Sequence, residues 1–261
     1  MSKDHQIEKL HENVWLFKNS LSNHQGILED FKNNATWSRW NFGTHAMYDT
    51  PWGSYDTFPE KEVFFKDVLY PKKEEGYKTY ESLKEIVNNF YDVTKYYVDV
   101  TGYEIPNWCF LSNDLAKYEP KFTPDEYIQR YHIDYQIERK DQPRHNFGLT
   151  TVTYLNDDYE GGEIVFKIFH DETEETFDLI TYKPTAGDTL VFSSKWPNFH
   201  AVKQVTKGEK YFTQIVWRFW FPGSDEWFKN IEKYGEKEWE KMYEQEMEKL
   251  SKMPTYSIRE F

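Results

Sequence analysis

The 261-residue chain holds 20 Phe, 20 Tyr and 10 Trp, enough aromatic surface to offset chain entropy and to exclude a disordered protein. Its 45 acidic against 32 basic side chains give a net charge of -13 with no basic cluster, which argues against nucleic acid as a partner. The single cysteine, Cys109, excludes an internal disulfide and zinc–thiolate sites, so any metal must be held by histidines and carboxylates. No apolar run is long enough to span a bilayer, and the N-terminus has no apolar signal core. The expectation is a cytoplasmic protein without membrane contact, as a monomer or homodimer.

In chain order, Asn13 to Phe17 is β-prone and Gln25 to Phe31 has helical character. Trp37, Trp40 and Trp52, near Gly43 and Gly53, are candidates for core packing or for a lid. From Tyr80 to Tyr97 apolar residues recur at Leu83, Ile86, Val87, Phe90, Val93 and Tyr97, close to the 3.6 period of an amphipathic helix, with Gly102 beyond its end. Short runs rich in Val, Ile, Thr, Tyr and Phe follow at Gly148 to Leu155, Glu163 to Phe169, Phe177 to Tyr182, Thr189 to Phe192 and Tyr211 to Phe221. They are separated by turn residues without intervening helical patterns, which predicts an antiparallel sandwich or jelly roll. From Asp225 to Met253 the pattern is helical again, with Trp239, Met242, Tyr243, Met247 and Leu250 on one face. A helix packed on the outside of the sheet is expected there.

No repeat and no Gly/Ser or Pro tract divides the chain. It reads as one domain over 1–261: a helical and strand support region at 1–105, a jelly-roll catalytic core at 106–222, and a C-terminal helix at 223–261.

With thiolates excluded, the histidines carry the candidate chemistry. In His132-Ile133-Asp134 the i and i+2 side chains of a strand project from one face, so an imidazole and a carboxylate can grip one ion. Two imidazoles and a carboxylate with open positions remaining form the facial arrangement of non-haem Fe(II) oxygenases. His200, four predicted strands later, can supply the second imidazole if the sheet folds back. The competing His170-Asp171-Glu172 lies in a charged run expected at an exposed hairpin tip.

From Leu115 to Phe221 the chain resembles the Fe(II)/2-oxoglutarate-dependent oxygenases, in their prolyl 4-hydroxylase-like branch. The resemblance rests on His132-Ile133-Asp134, Thr151 to Asp157, Glu160-Gly161-Gly162-Glu163-Ile164-Val165-Phe166, Pro184 to Phe192, and His200 followed by Val205, Gly208 and Lys210. It implies a mostly β fold with flanking helices, built on a double-stranded β-helix (jelly roll) core. It also implies that His132, Asp134 and His200 ligate iron, and that Lys210 anchors the far carboxylate of 2-oxoglutarate. Tyr154 corresponds to a tyrosine that in some relatives donates its hydroxyl to that carboxylate. Tyr118 resembles a tyrosine upstream of the H-x-D strand, near the cosubstrate or substrate.

The chain departs from the family pattern in two places. Fourteen residues separate Tyr118 from His132, which predicts an inserted loop over Lys121 to Glu126. Trp217 lies seven residues after Lys210, where relatives place a tryptophan after six. A bulge would reconcile the two. Without one, the inward face of the last strand is expected to be Tyr211, Thr213, Ile215, Trp217 and Phe219, with Lys210 entering from the strand end.

The implied activity is hydroxylation of a C–H bond, of a prolyl residue or amino acid, with Fe(II) as metal, 2-oxoglutarate and O2 as cosubstrates, and ascorbate as an optional helper. Succinate and CO2 are the co-products. The same chemistry on another small molecule or a nucleobase, a non-catalytic metal-binding jelly roll, and a cupin-type isomerase or hydrolase stay open alongside it.

Overall fold

A computed structural model of the chain describes residues 6–34, 36–39, 44–47, 80–103, 109–120, 126–133, 135–136, 145–171, 173–193, 197–219 and 225–251. The N-terminal part holds β1 (Gln6–His11), β2 (Val14–Lys18), α1 (His24–Asn34), β3 (Thr36–Arg39), β4 (Thr44–Met47) and α2 (Tyr80–Thr101). The middle holds β5 (Cys109–Tyr118), β6 (Tyr127–His132), β7 (Tyr135–Gln136), β8 (His145–Tyr154), β9 (Glu160–Gly161), β10 (Ile164–Phe169), β11 (Phe177–Tyr182) and β12 (Thr189–Ser193). It continues through β13 (Asn198–Lys203), β14 (Val205–Lys207) and β15 (Lys210–Phe219), before α3 (Asp225–Tyr234) and α4 (Glu236–Ser251). No helix among the described residues is long and apolar enough to cross a membrane.

The strands pair into a main sheet in the order β1-β2-β12-β8-β15-β5-β4-β3 and a second sheet in the order β11-β10-β13-β6, all antiparallel. From β5 to β15 the chain passes repeatedly from one sheet to the other, which is the winding of a jelly roll, the double-stranded β-helix expected. Between the layers, Leu16, Tyr154, Phe192 and Phe212 of the main sheet meet Ile164, Phe166 and Val202 of the second in one apolar cluster. Strands from the first 47 residues extend the main sheet at both ends, β2 against β12 and β4 against β5.

Helix α2 buries the face its periodicity predicts, since Ile86, Val87, Phe90, Val93 and Tyr97 are all buried. Its Asn89 amide donates to Thr189 Oγ1 of β12 at 3.0 Å, and Thr189 also meets Thr153 and Ser20 at 2.9 and 2.8 Å. These polar groups are fully buried, and the mutual bonds remove the cost of desolvating them. Trp37, Trp40, Trp52 and residues 121–125 of the expected insertion lie outside what the structure describes for side chains or backbone.

Two expectations need correction. The C-terminal helix is two helices: Gly235, at φ +81°, ends α3 with its N–H on Ile231 O at 2.8 Å, and Trp239 N–H bonds back to Gly235 O. A glycine in the left-handed region is a helix stop that amphipathic periodicity does not register. Trp239, fully buried, stacks on Tyr234 across this break.

The second correction concerns β15. It pairs with β5 without interruption from Lys210↔Tyr118 to Phe219↔Cys109, so it carries no bulge. The ladder slips on its other side, between Val216↔Thr150 and Arg218↔Phe147, which places the extra residue in β8. The face of β15 turned to the interior is Lys210, Phe212 and Gln214, the opposite of the expected one. Tyr211 faces away from the cavity and is buried under Lys32 of α1. The turn sets this parity: Gly208, at φ +75°, packs on the Asp158–Tyr159 backbone, and Asn156 Oδ1 accepts the Tyr211 N–H at 2.7 Å.

Candidate active site

His132 ends β6 and faces His200 of β13 as a directly paired residue, with ring centroids 4.4 Å apart. His200 is buried against Phe192 and Phe166, at centroid distances of 5.0 and 6.0 Å. His132 Nδ1 lies 2.7 Å from Arg130 O. A carbonyl only accepts, so Nδ1 carries the hydrogen and Nε2 keeps its lone pair, the tautomer a metal ligand requires. Gln129 Nε2 approaches that lone pair at 3.0 Å.

Asp134 lies outside the described residues, and among those described no three His, Cys, Asp or Glu side chains converge. The described donor set is therefore two adjacent imidazoles, one with its tautomer set by the backbone, and this chemistry fits a divalent ion. His170 is elsewhere, in the β10–β11 turn, half exposed and 3.1 Å from Asp178.

Gln129 was not visible as a site residue because strict alternation places it on the face opposite His132. The β6–β13 ladder slips between His200↔His132 and Val202↔Gln129, so three residues of β6 oppose two of β13. This bulge turns Gln129 and His132 to the same side, and Gln129 lines the cavity between the sheets.

The same cavity extends from His200 past Val202 to Lys210, Tyr154 and Tyr118. Lys210 is only 2% exposed. Its Nζ donates to Gly162 O at 2.7 Å and sits 5.1, 5.6 and 5.8 Å from the rings of Tyr154, Phe212 and Tyr118. Among the described residues no carboxylate forms an ion pair with it. Burial pulls its pKa down to about 7; the nearby Lys183 charge adds to the fall and Glu163 opposes it. An ammonium held this way is costly without an anion, because neither one carbonyl nor aromatic faces replace its hydration. Tyr154 is fully enclosed, and burial raises its hydroxyl well above the ordinary phenol range, so it remains a neutral donor.

The glycine pair shapes the wall beside Lys210. Gly161 and Gly162 have φ +76° and +69°, and a Cβ at Gly161 would lie 2.1 Å from Gln204 O. Because that oxygen is backbone and itself accepts Gly162 N–H at 3.0 Å, it cannot retreat cheaply. We expect Gly161→Ala to destabilise the protein by about 2 kcal/mol or more, from backbone strain plus overlap, seen as a lower denaturation midpoint at unchanged slope.

Residues 116–221 match the sequence model of the 2OG-Fe(II) oxygenase superfamily. Prolyl 3-hydroxylase 2 of Homo sapiens is 38% identical over 72 residues, 27% of this chain, and that of Gallus gallus 36% over the same length. These matches span 10% of the length of either relative. A prolyl-4-hydroxylase of Pseudomonas putida superposes over 83% of this chain and 94% of its own at 14% identity and a TM-score of 0.47. The viral collagen prolyl hydroxylase of Paramecium Bursaria Chlorella virus-1, in its 2OG complex, does so over 80% and 97% at 17% identity and a TM-score of 0.45. His132, His200, Tyr118, Tyr154 and Lys210 all fall within residues 116–221, the segment that matches the 2OG-Fe(II) oxygenase superfamily model.

Proposed function

We propose that this chain is an Fe(II)- and 2-oxoglutarate-dependent dioxygenase that hydroxylates a C–H bond of a prolyl residue. The observation that carries the reading is the buried Lys210 ammonium, with no ion-paired carboxylate among the described residues, in one cavity with His200, whose ring stands 4.4 Å from that of His132. The superfamily match supports the chemistry, and the partial similarity to prolyl 3-hydroxylase 2 supports the acceptor.

In this reading His132, Asp134 and His200 hold the ion. Bound there, Fe(II) supplies the oxidation of a C–H bond coupled to decarboxylation of the 2-oxoacid, so that substrate, 2-oxoglutarate and O2 give hydroxylated substrate, succinate and CO2. Lys210 and the Tyr154 hydroxyl bind the far carboxylate and fix which way the diacid lies. The same cavity is lined by His200, so the keto end of the diacid would meet the metal held there. The Arg130 carbonyl orients the His132 ring, while Phe166 and Phe192 shield the His200 ring from water.

The test is incubation of the protein with Fe(II), ascorbate, 2-oxoglutarate and a proline-containing peptide. Succinate is expected in step with a peptide heavier by one oxygen atom. Succinate with no peptide product would replace the acceptor, and no succinate with any acceptor would remove the enzyme reading.

A further inference from the structure

Gln129 has no part in the function proposed above, yet its carboxamide meets the nitrogen of His132 that ligates in that reading. Its Nε2 lies 3.0 Å from His132 Nε2. The contact arises where β6 slips against β13, between the pairs Val202↔Gln129 and His200↔His132. Gln129 also lines the cavity that His200 lines.

Orienting the imidazole does not require this amide. The His132 ring is fixed from its other nitrogen, with Nδ1 2.7 Å from Arg130 O of the same strand. Nor does packing call for an amide, since Ile164, Phe192 and Val202 of the cavity wall are apolar and gain nothing from a polar neighbour.

The distance itself points to coordination. On an octahedral ion with bonds of about 2.1 Å, two ligating atoms at right angles stand about 3.0 Å apart. The Gln129 carboxamide therefore stands from His132 Nε2 at the separation of neighbouring ligands. An ion on that nitrogen takes its lone pair, and the Gln129 N–H can no longer donate to it. A half-turn about Cγ–Cδ brings Oε1 to the place of Nε2, and a carbonyl oxygen is a ligand suited to an ion such as Mn(II).

Resting on the function proposed above, we infer that the Gln129 carboxamide oxygen is a fourth protein ligand of the ion, beside His132, Asp134 and His200. Four protein donors leave two of six positions, the number that a chelating 2-oxoacid fills. The carboxamide thus closes the last position until it swings away into the cavity. Being neutral, it is easier to displace than a carboxylate would be.

The test is titration of Mn(II) into the full chain, followed by paramagnetic resonance and by the water-proton relaxation rate, which each water on the ion raises. Gln129→Leu is expected to weaken Mn(II) about tenfold or more. Relaxation per bound ion should rise about 1.5-fold, from three waters in place of two. With 2-oxoglutarate bound, the wild type should lose this relaxation and the variant should keep the share of one water. Gln129→Glu restores an oxygen ligand, so it should bind Mn(II) at least as tightly as the wild type and return the relaxation to the wild-type value. Unchanged or tighter Mn(II) binding in Gln129→Leu, equal relaxation in Gln129→Leu and wild type, or weaker binding in Gln129→Glu overturns the fourth ligand and leaves the proposed function standing. A wild-type chain that binds no Mn(II) removes the proposed function itself.

Discussion

His200→Ala is expected to abolish Mn(II) binding and turnover together while leaving a folded protein. The imidazole comes from the middle of a buried strand, packed between Phe166 and Phe192 and opposite His132. Among the described residues no further His, Cys, Asp or Glu stands with this pair to take its place. Truncation also leaves a cavity, so a stability loss of about 1–3 kcal/mol should accompany the loss of metal. His132→Ala should lose metal equally at a smaller stability cost, since that ring is more exposed. His170→Ala is the control: half exposed and engaged with Asp178, it should change neither property. Metal titration followed by manganese paramagnetic resonance, with melts alongside, checks all three. Retention of metal by both His132→Ala and His200→Ala would move the centre elsewhere.

Lys210→Met is expected to weaken 2-oxoglutarate about a hundredfold or more and, in the ligand-free protein, to raise stability. Removing one partner of a buried charge pair costs about 2–5 kcal/mol of binding. Without ligand the same side chain is a liability, because burial lowers its pKa from 10.5 to about 7. The sign follows from proton counting. Between about pH 7 and 10.5 the unfolded chain holds the proton and the folded chain does not, so stability rises with pH across that window. Below it the penalty is fully present, on the order of 5 kcal/mol as an upper figure from the size of the shift. The Met variant should lack this slope. Binding follows the opposite course: the free protein must take up a proton to meet the carboxylate, so affinity should fall about tenfold per pH unit above pH 7. Urea melts and calorimetric titrations across pH test both; a flat wild-type profile in each would mean that Lys210 is paired in the folded protein.

Much of the fold was legible along the chain because it is written in local pattern. Ile86, Val87, Phe90, Val93 and Tyr97 mark α2 by period. The Val- and Ile-rich runs mark β10 to β12 by composition, and the charged tip at His170 marks a hairpin turn. The motif residues from His132 to Lys210 could be aligned in order for the same reason: spacing survives in one dimension. Strand β13 was harder to see, since all but its last residue are buried and no alternation announces it.

The sequence by itself determined the residue types available for chemistry, a single cysteine among them, the kind of the elements it marked, and the jelly-roll class. Only the tertiary structure decided which side of each strand faces the cavity. A bulge in β6 between Gln129 and His132 brings the two side by side, and one glycine turn before β15 reverses the parity that places Lys210 toward the cavity and Tyr211 away from it. The physical reason is that side-chain direction alternates with period two, so one extra residue or one left-handed turn flips everything after it, and those choices are settled by pairing with strands distant in the chain.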